Sequence, residues 1–339
     1  MISLFAAEDR AAKLDRIGDP LQVLDKHIDF AAIAAAVDAK LTIGKSRKGG
    51  RPAWSTEVMV RLLVLQQLYN LSDEALEFQV LDRRSFLRFA GLERSSRVPD
   101  ARTLWVWRER LKQGDLMGDI SAAVSGQLQR AGFIARGGQI IDASFVTAPI
   151  QRNTREENAQ LKQGQTPADW SDAKRVHKDV EARWARKHGK SYFGYKLHAN
   201  TDRRWGFIRR AEVTPASVND SIMFERVLDP ANTAREVYAD RGYRKRSRDR
   251  ELKAQGYRPR IQRQGEAGHP LSARDQRRNR AISRDRAFGE HPFARLAQMG
   301  GKSLRTIGLA RARVQIGLKV AAHNLQHLAR LMERGAAPA

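Results

Sequence analysis

The residues Ile140-Ile141-Asp142-Ala143-Ser144-Phe145 follow directly on the turn Gly137-Gly138 and read as a strand with a carboxylate in its middle. Burying an acid inside an apolar strand is costly unless the acid is paired or holds a metal. The same stretch marks a change of period. Before residue 137 the apolar residues recur at helical spacing; after it, short strand-like runs alternate with turns and helices. Such a chain joins a helical segment to an α/β segment, and Asp142 must find its partners further along.

The helical part has three stretches. In residues 1–42, Leu21, Leu24, Ile28, Ile33 and Val37 fall on one helical face, after a Pro20 suited to a helix start. Gly44-Lys45-Ser46-Arg47-Lys48-Gly49-Gly50-Arg51-Pro52 is a flexible basic linker, with Arg51 placed to meet a phosphate. Residues 54–115 read as short helices, opened in turn by Ser55, by Ser72, by Ser85 and by Asp100. The last carries Arg102, Trp105, Arg108 and Arg110. Short helices, tight polar turns and a final arginine-rich helix suit a helix-turn-helix-like DNA module.

The charge balance supports that reading. Lys and Arg number 62 against 38 Asp and Glu, a formal charge of +24, and so large an excess points to a polyanionic partner. With no cysteine, disulfides, zinc fingers and cysteine nucleophiles are excluded. No apolar run approaches the ~18–20 residues of a membrane span. The first ten residues meet charge too early for a signal peptide.

From residue 137 five strands are expected, at 139–146, 191–199, 206–213, 236–240 and 257–262, with a polar excursion over 151–190. A very basic helix, 244–255, carries Arg244 and Lys245. A basic loop, 263–280, carries Arg277 and Arg278. A helix bearing Arg286 and Glu290 follows, which Pro292 should bend or break. The order of elements is that of a ribonuclease-H-like domain: a mixed five-stranded sheet flanked by helices. There the first strand lies beside the fourth, so Asp142 and Asp240 would meet, and Glu290 on the later helix would complete a set of three. Asp202, Glu212 and Asp220 are rival acids near the same sheet. Three carboxylates suit Mg²⁺ or Mn²⁺, hard cations that take oxygen ligands, and two such ions can assist phosphodiester displacement.

Several motifs carry a family resemblance: Leu71-Ser72-Asp73-Glu74-Ala75-Leu76-Glu77, Ser85-Phe86-Leu87-Arg88-Phe89, Ile141-Asp142-Ala143-Ser144, Tyr195-Lys196-Leu197-His198, Val213-Thr214-Pro215-Ala216, Ala239-Asp240-Arg241-Gly242-Tyr243 and Arg284-Asp285-Arg286-Ala287-Phe288-Gly289-Glu290-His291-Pro292-Phe293. Over residues 50–330 the sequence resembles the DDE transposases of bacterial insertion sequences, of the IS-five-like group. The resemblance implies Asp142, Asp240 and Glu290 as catalytic, metal-holding acids, with Arg286 on a DNA phosphate. Two positions depart from the family pattern. Ser283 stands where a Tyr is frequent, and Ala297 where a Lys is frequent, leaving Arg295 or Lys302 to take that phosphate contact.

The resemblance further implies hydrolysis at the terminal inverted repeats to free a 3′-OH, which then joins target DNA. Double-stranded DNA is the expected partner, a homodimer the expected synaptic form, and the bacterial cytoplasm, beside the nucleoid, the expected location. The expected domains are 1–49 (helical segment and linker), 50–136 (DNA-binding), 137–333 (catalytic) and 334–339 (tail). A DNA-binding repressor without chemistry, and a metal-dependent nuclease or resolvase of the same fold, are the alternatives left open by the residues alone.

Overall fold

The computed structural model describes residues 4–41, 52–187, 189–265 and 268–336. They divide into two compact units, Met1–Gly132 with Ala321–Ala339, and Phe133–Val320. The sequence boundaries placed residues up to 333 in the second of these; the segment from Ala321 instead belongs with the first. Most of the basic linker, with Arg51, lies outside the described residues. No helix among the described residues is long and apolar enough to cross a membrane.

The first unit is helical: α1 (Ala6–Ile17), α2 (Pro20–His27), α3 (Phe30–Asp38), α4 (Thr56–Tyr69), α5 (Asp73–Asp82), α6 (Arg84–Phe89), α7 (Ala101–Gln113) and α8 (Met117–Arg130). Side-chain caps set where the helices begin. Ser55 accepts from the Val58 amide, Ser72 from Ala75 and Asp100 from Thr103, each satisfying an orphan donor of a first turn. Ser85 does not cap: α6 begins one residue earlier, behind Arg83, whose side chain makes no cap. Phe30, Phe86, Phe89, Leu104 and Trp107 are buried in this unit, with Phe30 edge-on to Phe89 at 5.3 Å.

The second unit is built on a sheet. Its strands are β1 (Gln139–Thr147), β2 (Arg183–Lys187), β3 (Lys190–Asp202), β4 (Ile208–Pro215), β5 (Glu236–Ala239) and β6 (Arg258–Ile261). Between β1 and β2 come α9 (Arg155–Lys162) and α10 (Asp172–His177). Then α11 (Phe224–Val227) precedes β5, α12 (Arg246–Ala254) follows it, and α13 (Ala273–Gln298) and α14 (Leu309–Glu333) end the series. The strand order is β2-β3-β1-β5-β6, with β4 also on β3. β1 is antiparallel to β3 and parallel to β5, so the sheet is mixed.

Among the described residues six strands form rather than the expected five. The extra one, β2, has the sequence Arg-Trp-Ala-Arg-Lys, which lacks apolar alternation. It is an edge strand paired on one side only, held by its backbone ladder to β3.

The two faces of the sheet have different coverings. Ile141, Val237, Ala239 and Tyr243 pack with Phe224 and Leu252 on one face. Val146, Leu197 and Ala199 pack with Leu296 and Ile316 on the other. Ile140, Tyr238 and Ile282 join on that second side, beneath α13. Residues alternate across a strand, so Asp142 shares the α13 side with Ile140, Ser144 and Val146.

α13 differs from expectation in two ways. It begins at Ala273, so the second half of the expected basic loop 263–280 is helix. It also continues through Pro292. Proline removes one helix hydrogen bond, yet buried contacts on both sides, Ile282 and Gly289 before it and Leu296 after it, hold the helix in one piece.

Candidate active site

Parallel pairing of β1 with β5 aligns Ile140 with Tyr238. Asp142, still on β1, and Asp240, one residue past the end of β5, each lie two residues beyond that pair. β5 ends at Ala239, so Asp240 opens the following 3₁₀ turn, where its carboxylate accepts from the Gly242 amide at 2.8 Å. Asp142 is mid-strand, and its side chain is 27 % exposed. Burial pushes its carboxyl above the usual carboxylate range. The Arg286 guanidinium and the Ala143 amide pull the other way, and the Asp240 charge adds to the rise. The two acids are thus close enough to repel one another.

Arg286 reaches Asp142 from α13, donating Nη2 to Oδ2 at 2.8 Å. Its Nη1 makes a longer bond to Gln262 at 3.4 Å, and its buried Nε has no partner among the described residues. Glu290 lies one turn further along α13, on the same helical side. It is exposed and not drawn in towards the aspartates. Among the described residues no three His, Asp or Glu side chains converge closely enough to hold one metal ion.

The sheet therefore brings two of the three expected acids together, and α13 adds Arg286. Two neighbouring carboxylates, one of them with its pKa raised chiefly by burial, are a donor set suited to a hard divalent cation. Among the described residues the buried Tyr243 hydroxyl also lacks a partner, and its pKa is raised, chiefly by burial and then by Asp142, Asp220 and Asp240.

Two of the rival acids, Asp202 and Asp220, are committed elsewhere. Asp202 is buried, pairs with Arg209 at 2.8 Å and accepts the Trp205 amide. Asp220 holds Lys196 at 2.8 Å.

Gly289, three residues after Arg286, sets how closely α13 approaches the sheet, a role its place in the sequence does not announce. A Cβ there would sit 2.7 Å from Ile140 Cγ2. Glycine lets the α13 backbone lie directly on β1, two residues before Asp142, and this sets where Arg286 and Glu290 can reach. The only sequence signal is a glycine beside an acid inside a helical run.

The arginines and lysine expected on DNA differ in what the fold leaves them free to do. Arg102 is exposed, and with Arg110 it lines an open pocket of about 330 Å³ between Pro52–Trp54 and the start of α7. Arg108 is not presented to a ligand. Its guanidinium closes on Asp73 through bonds of 2.6 and 2.5 Å and touches Gln66 at 3.1 Å. Lys245 and Arg277 are exposed and Arg244 is half-buried. Arg278 points inward and donates to the Ile261 carbonyl at 2.9 Å, tying α13 to β6. Arg108 and Arg278 are thus corrections to the sequence reading: periodicity does not reveal that a carboxylate or carbonyl of the same chain will meet them.

The family model described as Transposase domain (DUF772) matches residues 8–110, and that described as Transposase DDE domain matches residues 135–325. A solved structure, the cryo-EM structure of piggyBac transposase synaptic complex with hairpin DNA, is similar at a TM-score of 0.47 and 11 % identity, over 95 % of this chain and 77 % of that one. The second match spans more than half of the chain, and the protein belongs to the DDE transposase family.

Proposed function

We propose that this transposase binds the terminal inverted repeats of an insertion sequence of the IS-five-like group, hydrolyses a phosphodiester there, and joins the freed 3′-OH to target DNA. One observation carries the reading most directly: Asp142 on β1 and Asp240, just past the end of the parallel strand β5, lie near enough for their charges to interact, with Arg286 on Asp142. Transposases act on DNA, and the DDE family is in general dependent on divalent metal. The pair of aspartates, with Glu290 turned inward on α13, would hold Mg²⁺ or Mn²⁺. When bound, such ions activate the attacking oxygen and stabilise the leaving one.

The chain's own groups have separate tasks. Asp142 and Asp240 offer carboxylate oxygens at one level of the sheet. Arg286, with one unpartnered N–H, can exchange Asp142 for a phosphate oxygen, because a guanidinium fits either anion. Repeat recognition falls to residues 54–115, read as a helix-turn-helix-like module in which Arg102 and Arg110 are the available cations, and Lys245 and Arg277 add phosphate contacts from the second unit. We assign the sheet unit to the ribonuclease-H-like class. The synaptic form is a homodimer and the compartment the bacterial cytoplasm.

The test incubates purified protein and Mg²⁺ with an end-labelled fragment carrying a terminal repeat, beside an unrelated fragment of equal length. Cleavage that leaves a 3′-OH at the repeat boundary is expected. Equal cutting of both fragments would replace this reading with a nuclease. Repeat binding with no cutting or joining would replace it with a repressor.

A further inference from the structure

We propose that Lys196 is a positioning residue for the aspartate pair: from the opposite face of the sheet, through Asp220 and Arg248, it braces the turn that carries Asp240 against the strand that carries Asp142. The inference rests on the reading that these two acids hold the metal used to cut DNA.

The brace is needed because the sheet itself stops short. Backbone pairing of β1 with β5 joins Gln139 to Val237 and Ile140 to Tyr238, and among the described residues it goes no further. On its other side β5 stays paired to β6 up to Ala239, whose carbonyl accepts from the Gln262 amide at 3.1 Å. Asp240 therefore leaves the sheet on a 3₁₀ turn, Arg241–Tyr243, that the β1–β5 ladder does not reach. Carboxylates that share a hard cation must be held to within about 0.5 Å. Contacts other than the ladder must set that spacing.

Lys196 starts the path. It pairs with Phe145 across β3 and β1, so both side chains lie on the face opposite Asp142. Its side chain is 11 % exposed, and its ammonium stands 5.1 Å from the centroid of the Phe145 ring. There it donates to the Val218 carbonyl at 2.9 Å and to Asp220 Oδ1 at 2.8 Å. His198, two residues on, closes the same side: its Nε2 is 2.8 Å from Thr214 Oγ1 and its Nδ1 is 4.0 Å from Asp220 Oδ1. Asp220 is thus pinned to β3 at the head of its own 3₁₀ turn, Asp220–Met223. Burying an ammonium is costly, and an apolar residue would fill the same strand position without that cost. What Lys196 adds is the fixed direction of its two bonds.

Arg248 completes the path. From α12 its Nη1 donates to Ser221 Oγ at 2.9 Å and to the Tyr243 carbonyl at 2.5 Å, while Nη2 donates to the Ser221 carbonyl at 2.6 Å. One guanidinium so joins the turn that begins at Asp220 to the turn that Asp240 opens. The Tyr243 ring seals the joint, 5.9 Å from Phe224 and in one apolar cluster with Ile141, the residue before Asp142.

The test compares the full-length wild type with K196M, D220N and the double variant. Methionine keeps an unbranched stem on Phe145 and removes the charge. Hydrogen exchange, measured without metal or DNA, should quicken over residues 239–244 in both single variants while the β1 amides keep their protection. Cleavage of a labelled terminal-repeat duplex should slow about ten-fold at saturating duplex in each, and need more Mg²⁺, with the duplex dissociation constant unchanged. The double variant should lose no more than the larger single loss, because both changes break the same path. If K196M does not fold, D220N, altered at a carboxylate 32 % exposed, decides by the same readings. Wild-type exchange over 239–244, or wild-type cleavage, in both single variants overturns the brace and leaves the metal reading intact, as does full addition of the two losses. A wild type without metal-dependent cleavage strikes down the reading on which the brace rests.

Discussion

Arg248 and Arg286 look alike in the sequence, each in a basic run, and the fold uses them differently. Arg248 has a side chain only 4 % exposed. Its guanidinium donates to Glu225, to the Ser221 hydroxyl and carbonyl, and to the Tyr243 carbonyl. It therefore ties the turn that begins at Asp240 to the segment before α11. Glu225 is 55 % exposed, so screening leaves that ion pair little weight, and the buried carbonyls carry most of the effect. Arg248→Met should cost roughly 2–4 kcal/mol, read from denaturant unfolding, because it strips donors from buried acceptors.

Glu157 gives a pH-dependent counterpart at the same scale. Lys174, the Thr154 amide and the Trp170 indole hold its carboxyl at about 2, against an ordinary value of 4.5. A depressed acid adds stability above its unfolded pKa and loses it as pH falls towards its folded one. The difference in melting temperature between wild type and Glu157→Gln should therefore shrink between about pH 5 and pH 2.

At the scale of elements, the site depends on α13 lying flat on β1 at Gly289. Gly289→Ala should destabilise by about 1–3 kcal/mol through overpacking against Ile140. It should lower DNA cleavage further than DNA binding, because the added methyl pushes Arg286 and Glu290 away from Asp142. Ile140→Ala in the same chain removes the Cγ2 methyl that the new Cβ meets, so the double mutant should lose less than the two single losses added together, a coupling measurable as a double-mutant cycle.

Much of this architecture is legible in the sequence. The alternation of strands and helices after residue 137, the caps at Ser55, Ser72 and Asp100, and the levelling of Asp142 with Asp240 all follow from local pattern plus one topology. What is not legible depends on tertiary contact. β2 carries no alternation because an edge strand needs only its backbone, and α13 passes Pro292 because packing on either side outweighs one lost hydrogen bond. Arg108 and Arg278 read as surface cations until Asp73 and the Ile261 carbonyl meet them. Glu290 is placed on the expected helix and on the side of Arg286, but its side chain stays exposed, since nothing in the sheet draws a carboxylate towards two others.

At the scale of the whole molecule, a formal charge of +24 makes binding to nucleic acid strongly dependent on salt. If six to ten phosphates are contacted, affinity for a duplex should fall about 10³–10⁵-fold between 50 and 200 mM salt, measurable by fluorescence anisotropy. The charge itself says little about which cations do the work. Arg102, Lys245 and Arg277 stand at the surface, whereas Arg108 is bonded inside the first unit and Arg248 and Arg278 inside the second.

The central claim is that Asp142, Asp240 and Glu290 form one metal-dependent centre for cutting DNA. It is tested most directly by comparing wild type with Asp142→Ala, Asp240→Ala and Glu290→Ala on a labelled terminal-repeat duplex with Mg²⁺, scoring binding and cleavage together. All three variants should bind the duplex as wild type does and lose its cleavage. Wild-type cleavage by all three would contradict the account.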